Sequence, residues 1–197
     1  MNEIFAPLSE VDDETTARLN ARLAAAAEDA GLLDIAYRTV DTPVGSLLLA
    51  ATEQGLLQVA YEIQNHDAVL ERLATQVSPR ILRTPGRLDA VARELDEYFA
   101  HRRRIFDVPL DWRLSKGFRR SVLTHLPEIA YGHTESYAQV AAAAGSPRAF
   151  RAVGTACATN PLPVVVPCHR VILSDGSYGQ YAGGPEAKRR LLELEAA

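Results

Sequence analysis

Between Ile35 and Tyr61 the apolar positions fall into three short runs, Ile35–Val40, Ser46–Ala51 and Leu56–Tyr61. Thr42-Pro43-Val44-Gly45 and Glu53-Gln54-Gly55 separate them. Runs of this length bounded by turn residues predict strands, and connections this short predict an antiparallel meander. The spacing then becomes helical. Asn65 is placed to cap a helix burying Leu70, Leu73 and Val77, which Ser78-Pro79 ends. Thr84-Pro85 opens a second helix with proline at its first position and a stripe of Leu88, Val91, Leu95 and Phe99. Ile105–Leu110 reads as a further strand. Ahead of the meander, Leu19, Leu23, Ala26 and Ala27 share one helical stripe, with Ser9 as a candidate cap and Gly31 as a stop.

The second half is patterned for helices. Ser115 is a candidate cap for a helix carrying Phe118, Val122, Leu126 and Ile129, limited near Leu126 by Pro127. Ser136 and Gln139 match a capping box, which places Tyr137 at the first helical position. Gly145 stops that helix, and Ser146-Pro147 starts another that runs from Arg148 to about Ala158. So tight a connection fits a helix-turn-helix or an ordinary helical hairpin. Val164-Val165-Val166 reads as a short buried strand ending at Pro167. A loop with four glycines, Ser174 to Gly184, precedes a last helix from Pro185 through Glu195 that turns Ala187, Leu191 and Leu194 inward. The expected fold class is α+β. It divides into an extension (1–34), a small α/β domain (35–110) and a helical domain (111–197).

Composition narrows the function. The chain has 197 residues, 47% hydrophobic and 23% charged, and no apolar run near the roughly 20 residues of a membrane span. Its N-terminus lacks the basic and apolar regions of a signal peptide. Two cysteines, Cys157 and Cys168, make neither a disulfide framework nor a zinc site, so reduced thiols in the cytoplasm are expected. His66 and His101 sit among charged residues and read as solvent-facing. The net charge of −4 is uneven: residues 1–34 carry two basic and eight acidic side chains, residues 108–197 ten and seven. Only the C-terminal part has the sign that suits phosphate contacts.

The reactive stretch is Cys168-His169-Arg170. A thiol becomes a nucleophile when a base or positive charge lowers its pKa, and His169 and Arg170 are candidate sources. On a regular strand neighbouring side chains point to opposite faces, so cooperation needs a bend at Pro167. Taken alone, the stretch also fits a core cysteine beside a surface His-Arg pair.

The surrounding residues resemble the O6-alkylguanine-DNA alkyltransferases. Tyr131-Gly132 with Ser136-Tyr137, the Pro147–Gly154 segment, Asn160-Pro161, Val166-Pro167-Cys168-His169-Arg170-Val171 and Tyr181-Ala182-Gly183-Gly184 agree in order and spacing. Residues 36–110 resemble that family's N-terminal domain more loosely, through Thr42–Ser46 and Glu97-Tyr98-Phe99. The resemblance implies a ribonuclease-H-like N-terminal domain and a helical C-terminal domain with a winged-helix-like helix-turn-helix. It implies that Cys168 takes the alkyl group from guanine O6 once and irreversibly. His169 would act as base and Glu195 as its orienter, and Tyr137 would donate to the departing base. Arg151, with Ala152, Thr155, Arg148 and Ser136, would contact DNA, Arg151 filling the gap left by a flipped base. Val171, Tyr181, Ala182 and Asn160 would form or brace the pocket. The expected partner is double-stranded DNA containing alkylated guanine, bound by a monomer without metal, cofactor or membrane. O4-alkylthymine stays open as a further substrate. The competing readings are a non-catalytic alkyl-lesion recognition protein, a thiol hydrolase and a DNA-binding regulator.

Overall fold

The computed structural model describes residues 12–196. Helix α1 (Asp13–Asp29) is capped by Asp12, whose side chain accepts from the Thr15 N–H. Ser9, the candidate cap, lies outside the described residues, and Gly31 follows the helix as expected. The anticipated stripe is not buried: Leu19 and Leu23 are 51% and 54% exposed, and Ala24 is the buried contact.

The meander forms as predicted. Strands β1 (Ile35–Thr42), β2 (Gly45–Thr52) and β3 (Gly55–Tyr61) are antiparallel neighbours. Helix α2 (His66–Gln76), capped by the Asn65 side chain, buries Val69 and Leu73 against one sheet face. A short strand the pattern does not announce, β4 (Ile81–Arg83), then pairs parallel to β1 and gives the order β3-β2-β1-β4. Pro85 leads into one 3₁₀ turn, so helix α3 (Asp89–Phe99) begins later than a proline at its first position would place it. Its buried stripe is Val91, Leu95 and Tyr98, with Phe99 only partly covered.

Ile105–Leu110 is not a strand. Pro109 has no N–H, and pairing shrinks to one bridge at Leu56–Leu110, where Leu56 N–H donates to the Pro109 carbonyl and Asp111 N–H to the Leu56 carbonyl. Ile105 itself is exposed.

The helical half starts with a 3₁₀ turn at Trp112–Leu114 capped by Asp111. That extra turn moves the start of α4 (Gly117–His125) to a cap at Lys116, and Ser115 is buried instead of capping. The helix ends at Leu126, as Pro127 requires. The Ser136–Gln139 capping box opens α5 (Tyr137–Ala143). Helix α6 (Phe150–Ala158) starts two residues beyond the expected Arg148. Two-residue strands β5 (Glu135–Ser136) and β6 (Val171–Ile172) pair in parallel, and α7 (Gly184–Ala196) closes the chain. One cluster of buried side chains runs from Leu47, Val59 and Leu95 to Val122, Val153 and Leu191, so the sheet half and the helical half share a core.

Candidate active site

The buried strand expected at Val164–Val166 is absent. Pro161, Pro163 and Pro167 remove three ladder donors, and the segment folds onto Asn160 instead. Asn160 Oδ1 accepts from Leu162 N–H at 2.9 Å, and Asn160 Nδ2 donates to the Val166 carbonyl at 2.8 Å and to Cys168 Sγ at 3.1 Å. Val164 is held at φ +73°, a strained setting for a β-branched residue that the buried turn enforces. Pro167 then sits in a tight turn, with Cys168 N–H donating to the Val166 carbonyl at 2.8 Å, and Cys168–Arg170 forms one 3₁₀ turn. This is the bend the thiol and imidazole need.

Cys168, His169, Arg170 and Glu195 are all buried. His169 Nε2 lies 2.8 Å from Glu195 Oε1. Arg170 reaches Glu195 through Nε at 2.8 Å and Nη2 at 2.9 Å, and caps the Ile129 carbonyl through Nη1 at 2.6 Å. Tyr98 of α3 donates to Glu195 Oε1 at 2.7 Å. Burial alone would raise the Glu195 pKa, but the His169, Arg170 and Tyr98 hydrogen bonds outweigh it and hold the carboxylate well below its ordinary range. An ionised Glu195 can only accept, so Nε2 of His169 carries the proton. Burial keeps the imidazole neutral by pushing its pKa down, against the pull of Glu195. The remaining nitrogen, Nδ1, is buried with no partner among the described residues, a free lone pair available as a base.

The thiol is pushed up to about 11 by burial, with Asn160 and the Lys188 ammonium pulling the other way. Arg170, a sequence-level candidate for activating the thiol, serves Glu195 instead. Lys188 of α7 is fully buried, donates to the Val171 carbonyl at 2.6 Å, and is depressed by desolvation. Sequence reading missed Lys188, although Lys188, Leu191 and Glu195 recur on one helical face. It also missed Tyr98, although Val91, Leu95 and Tyr98 keep a better helical spacing than Phe99 does.

Tyr181 is buried, its ring edge-on to His169 with centroids 6.3 Å apart, and its hydroxyl lies 3.0 Å from that of Tyr61 at the end of β3. The neighbouring Gly183 packs on the Tyr61 ring so closely that a Cβ would come within 2.6 Å of it. Tyr137 is half-buried, its pKa raised to about 12 mainly by desolvation. A Cβ at Gly179 would fall 2.2 Å from the Tyr137 hydroxyl, so a larger residue there would have to displace that ring. Tyr137, Phe150, Gly154, Leu173 and Gly179 line a cleft of about 570 Å³, and Cys168 does not line it. Ala182 is partly buried against the core.

Arg151, Ala152 and Thr155 are exposed along α6, and the Arg151 guanidinium lies over the Phe150 ring, 5.7 Å from its centroid. Arg148 is exposed in the turn before the helix. The Ser136 hydroxyl is engaged by Gln139. His101 is exposed as expected, whereas His66 is partly buried, with Nε2 3.2 Å from the Ala60 carbonyl. Cys157 is buried. Among the described residues no group of three or more His, Cys, Asp or Glu side chains could hold a metal ion, and no helix is long and apolar enough to cross a membrane.

Residues 35–112 match the family model for the ribonuclease-like domain of 6-O-methylguanine DNA methyltransferase, and residues 117–197 match the model for its DNA-binding domain. A methylated-DNA–protein-cysteine methyltransferase of Mycobacterium tuberculosis is 40% identical over 161 residues, spanning 82% of this chain and 92% of that protein. The human protein of the same name is 34% identical over 163 residues, spanning 80% and 78%. The crystal structure of the M. tuberculosis O6-methylguanine methyltransferase superposes with a TM-score of 0.73 at 38% identity, covering 82% of this chain and 93% of that one. The M. tuberculosis OGT solved in complex with DNA gives 0.70 at 38% identity, covering 82% and 92%. With both domain models matched in order, and a buried thiol beside a histidine whose second nitrogen is free, the chain belongs to the 6-O-methylguanine DNA methyltransferase family.

Proposed function

We propose that this protein repairs DNA by direct reversal, moving the alkyl group of an O6-alkylguanine to Cys168 in a single irreversible step. The observation that supports this reading most is the division of labour on His169. Its Nε2 proton is committed to Glu195, and its Nδ1 lone pair is free and buried. In this reading Nδ1 takes the thiol proton through one bridging water. The thiolate sulfur bonds to the alkyl carbon, and the carbon–O6 bond breaks with its electron pair left on the guanine. Tyr137 donates a proton to that leaving group. A hydroxyl with a raised pKa gives up a proton only as negative charge develops, which ties its help to the transition state. Asn160 and Lys188 stabilise the thiolate that burial alone would forbid.

Duplex DNA hides O6, so the base must leave the stack. Arg151 on the exposed face of α6 would fill the vacated space, with Ala152 and Thr155 permitting close approach and Arg148 and Ser136 at the flanks. The flipped base would sit against Tyr137, with the Val171 carbonyl reading its amino group and Tyr181 and Ala182 as walls. The reading includes a monomer acting in the cytoplasm on double-stranded DNA, without a cofactor. A lesion-recognition protein that does not react is disfavoured, because the curated relatives are named for the transfer itself.

The test is intact and peptide mass spectrometry after incubation with a duplex containing one O6-methylguanine. One methyl on Cys168, with equimolar loss of the lesion, is expected. Unmodified protein that still binds the lesion would overturn the transfer. Arg151→Ala is expected to slow repair in the duplex more than reaction with the free base, and equal losses would remove the base-flipping role.

A further inference from the structure

A groove of about 310 Å³ lies on the seam between the two halves, at the C-terminal end of α6. Two arginines from different halves meet there. Arg72 of α2 donates to Gln58 Oε1 at 3.3 Å, and Arg119 of α4 donates to Thr159 Oγ1 at 3.4 Å. Gln58 is buried, and its Nε2 is fixed by the Val59 and Pro161 carbonyls at 2.8 and 3.0 Å, which turns its oxygen toward Arg72. Both guanidiniums are therefore oriented by neutral acceptors. Several arginines elsewhere on the surface are matched by acids, as Arg38 is by Asp89, Arg80 by Asp34 and Arg103 by Glu97, whereas these two are oriented without one. Among the described residues no carboxylate lines this groove. Two like charges held across one concavity leave an unbalanced positive field there, which an incoming anion relieves.

The groove is continuous with the face of α6. Arg151, Thr155 and Thr159 are exposed at four-residue intervals and so lie on one side of the helix. Thr159, the last of them, is the residue Arg119 touches. A polyanion following α6 from Arg151 runs directly into the Arg119–Arg72 groove.

We propose that this groove is a phosphate site for the DNA backbone, which extends the DNA footprint from α6 across the seam to Arg72 of the ribonuclease-like half. It rests on the reading of α6 as the DNA-facing helix. The side-chain amides of Gln64 and Gln76, which line the groove with the two arginines, suit phosphate oxygens and carry no base selectivity.

Binding of the full-length protein to an O6-methylguanine duplex is measured across a range of salt concentrations for Arg72→Gln, Arg72→Lys and Arg151→Ala. Arg72→Gln is expected to weaken binding about threefold to tenfold and to lower the slope of log affinity against log salt by about one, equally for damaged and undamaged duplex. Arg72→Lys keeps the charge and retains most of that slope. The rate with free O6-methylguanine base stays unchanged. An unaltered affinity and slope in Arg72→Gln, with Arg151→Ala weakened, overturns the groove and leaves the α6 reading standing. Unaltered binding in both variants overturns the α6 reading and the groove with it. A loss in Arg72→Lys equal to that in Arg72→Gln overturns the electrostatic role.

Discussion

Leu47–Ala51 in β2 and Asn160–Arg170 ahead of β6 are equally buried, yet their backbones are satisfied in opposite ways. In β2 the neighbouring strands β1 and β3 take up the N–H and C=O groups, and the side chains are free to be aliphatic. In 160–170 there is no ladder, and one carboxamide, Asn160, closes the turn. The sheet buries Leu47, Leu48 and Leu49, whereas the turn and the helix behind it bury His169, Arg170, Lys188 and Glu195. Stability in the sheet is spread over many interchangeable contacts. In the active segment it is concentrated on a few polar groups, each of which strands a buried partner when removed.

The largest effect expected from this contrast is at Glu195. Glu195→Ala leaves Arg170 buried without its carboxylate and should cost about 3–5 kcal/mol in denaturant unfolding. Glu195→Gln keeps the shape and should slow alkyl transfer in single-turnover assays while DNA binding persists. An unchanged transfer rate in the glutamine variant would remove Glu195 as orienter.

Asn160→Ala comes next, at about 2–3 kcal/mol, because the Leu162 N–H loses its acceptor and the Val166 carbonyl one of its two donors in a buried setting. It should also raise the thiol pKa further, since Asn160 is the first group pulling it down. The check is the pH dependence of Cys168 alkylation by a small iodoacetamide probe. An alkylation profile identical to that of the unaltered protein would mean that the Nδ2–Sγ contact carries no electrostatic weight.

Acid should undo the active segment before the sheet. The folded pKa of His169 lies below its ordinary 6.5, so the unfolded chain takes up that proton first. Its contribution to stability is present above about 6.5 and is lost as pH falls below it. Glu195, also depressed, contributes above its ordinary 4.5 and loses that contribution at still lower pH. The transfer rate should accordingly be flat near neutrality, with an acid limb whose midpoint falls below 6.5. A midpoint above 6.5 would contradict a buried neutral base.

The same contrast explains what the sequence could disclose. The three strands of the meander, the Asn65 cap and the Ser136–Gln139 box follow from local rules, and the structure keeps them. Ile105–Leu110 and Val164–Val166 have strand-like composition, but prolines remove the donors pairing needs, and composition alone does not weigh that loss. Cys168 and His169 stand out in the sequence as a thiol beside a candidate base, and Glu195 joins them only through the family resemblance. Geometry adds that Nδ1 is the free nitrogen and that Arg170 belongs to Glu195, which no linear pattern encodes. Lys188 was hidden because a lysine on a helix is ordinarily read as solvent-facing. Only its shared face with Leu191 and Glu195 hinted at burial. Tyr98 and Tyr61 were hidden because their partners lie 97 and 120 residues away.

These two tyrosines give the finest test, since both come from the sheet half and both end at the active segment. Tyr98 donates to Glu195 Oε1, the oxygen His169 also bonds. Tyr61 bonds the neutral Tyr181 hydroxyl. Tyr98→Phe should cost about 1.5–3 kcal/mol as the loss of a bond to a charged acceptor, and Tyr61→Phe about 1 kcal/mol. The sharper difference is in the chemistry. With one donor gone, Glu195 holds more of its negative charge for His169, raises the imidazole pKa and moves the acid limb of the transfer rate upward. Tyr61→Phe leaves Glu195 and His169 with all their partners and should leave the limb in place. A limb moved equally by both variants would mean that the sheet half acts by packing alone. A limb moved by Tyr98→Phe only would make α3 a positioning element for the histidine.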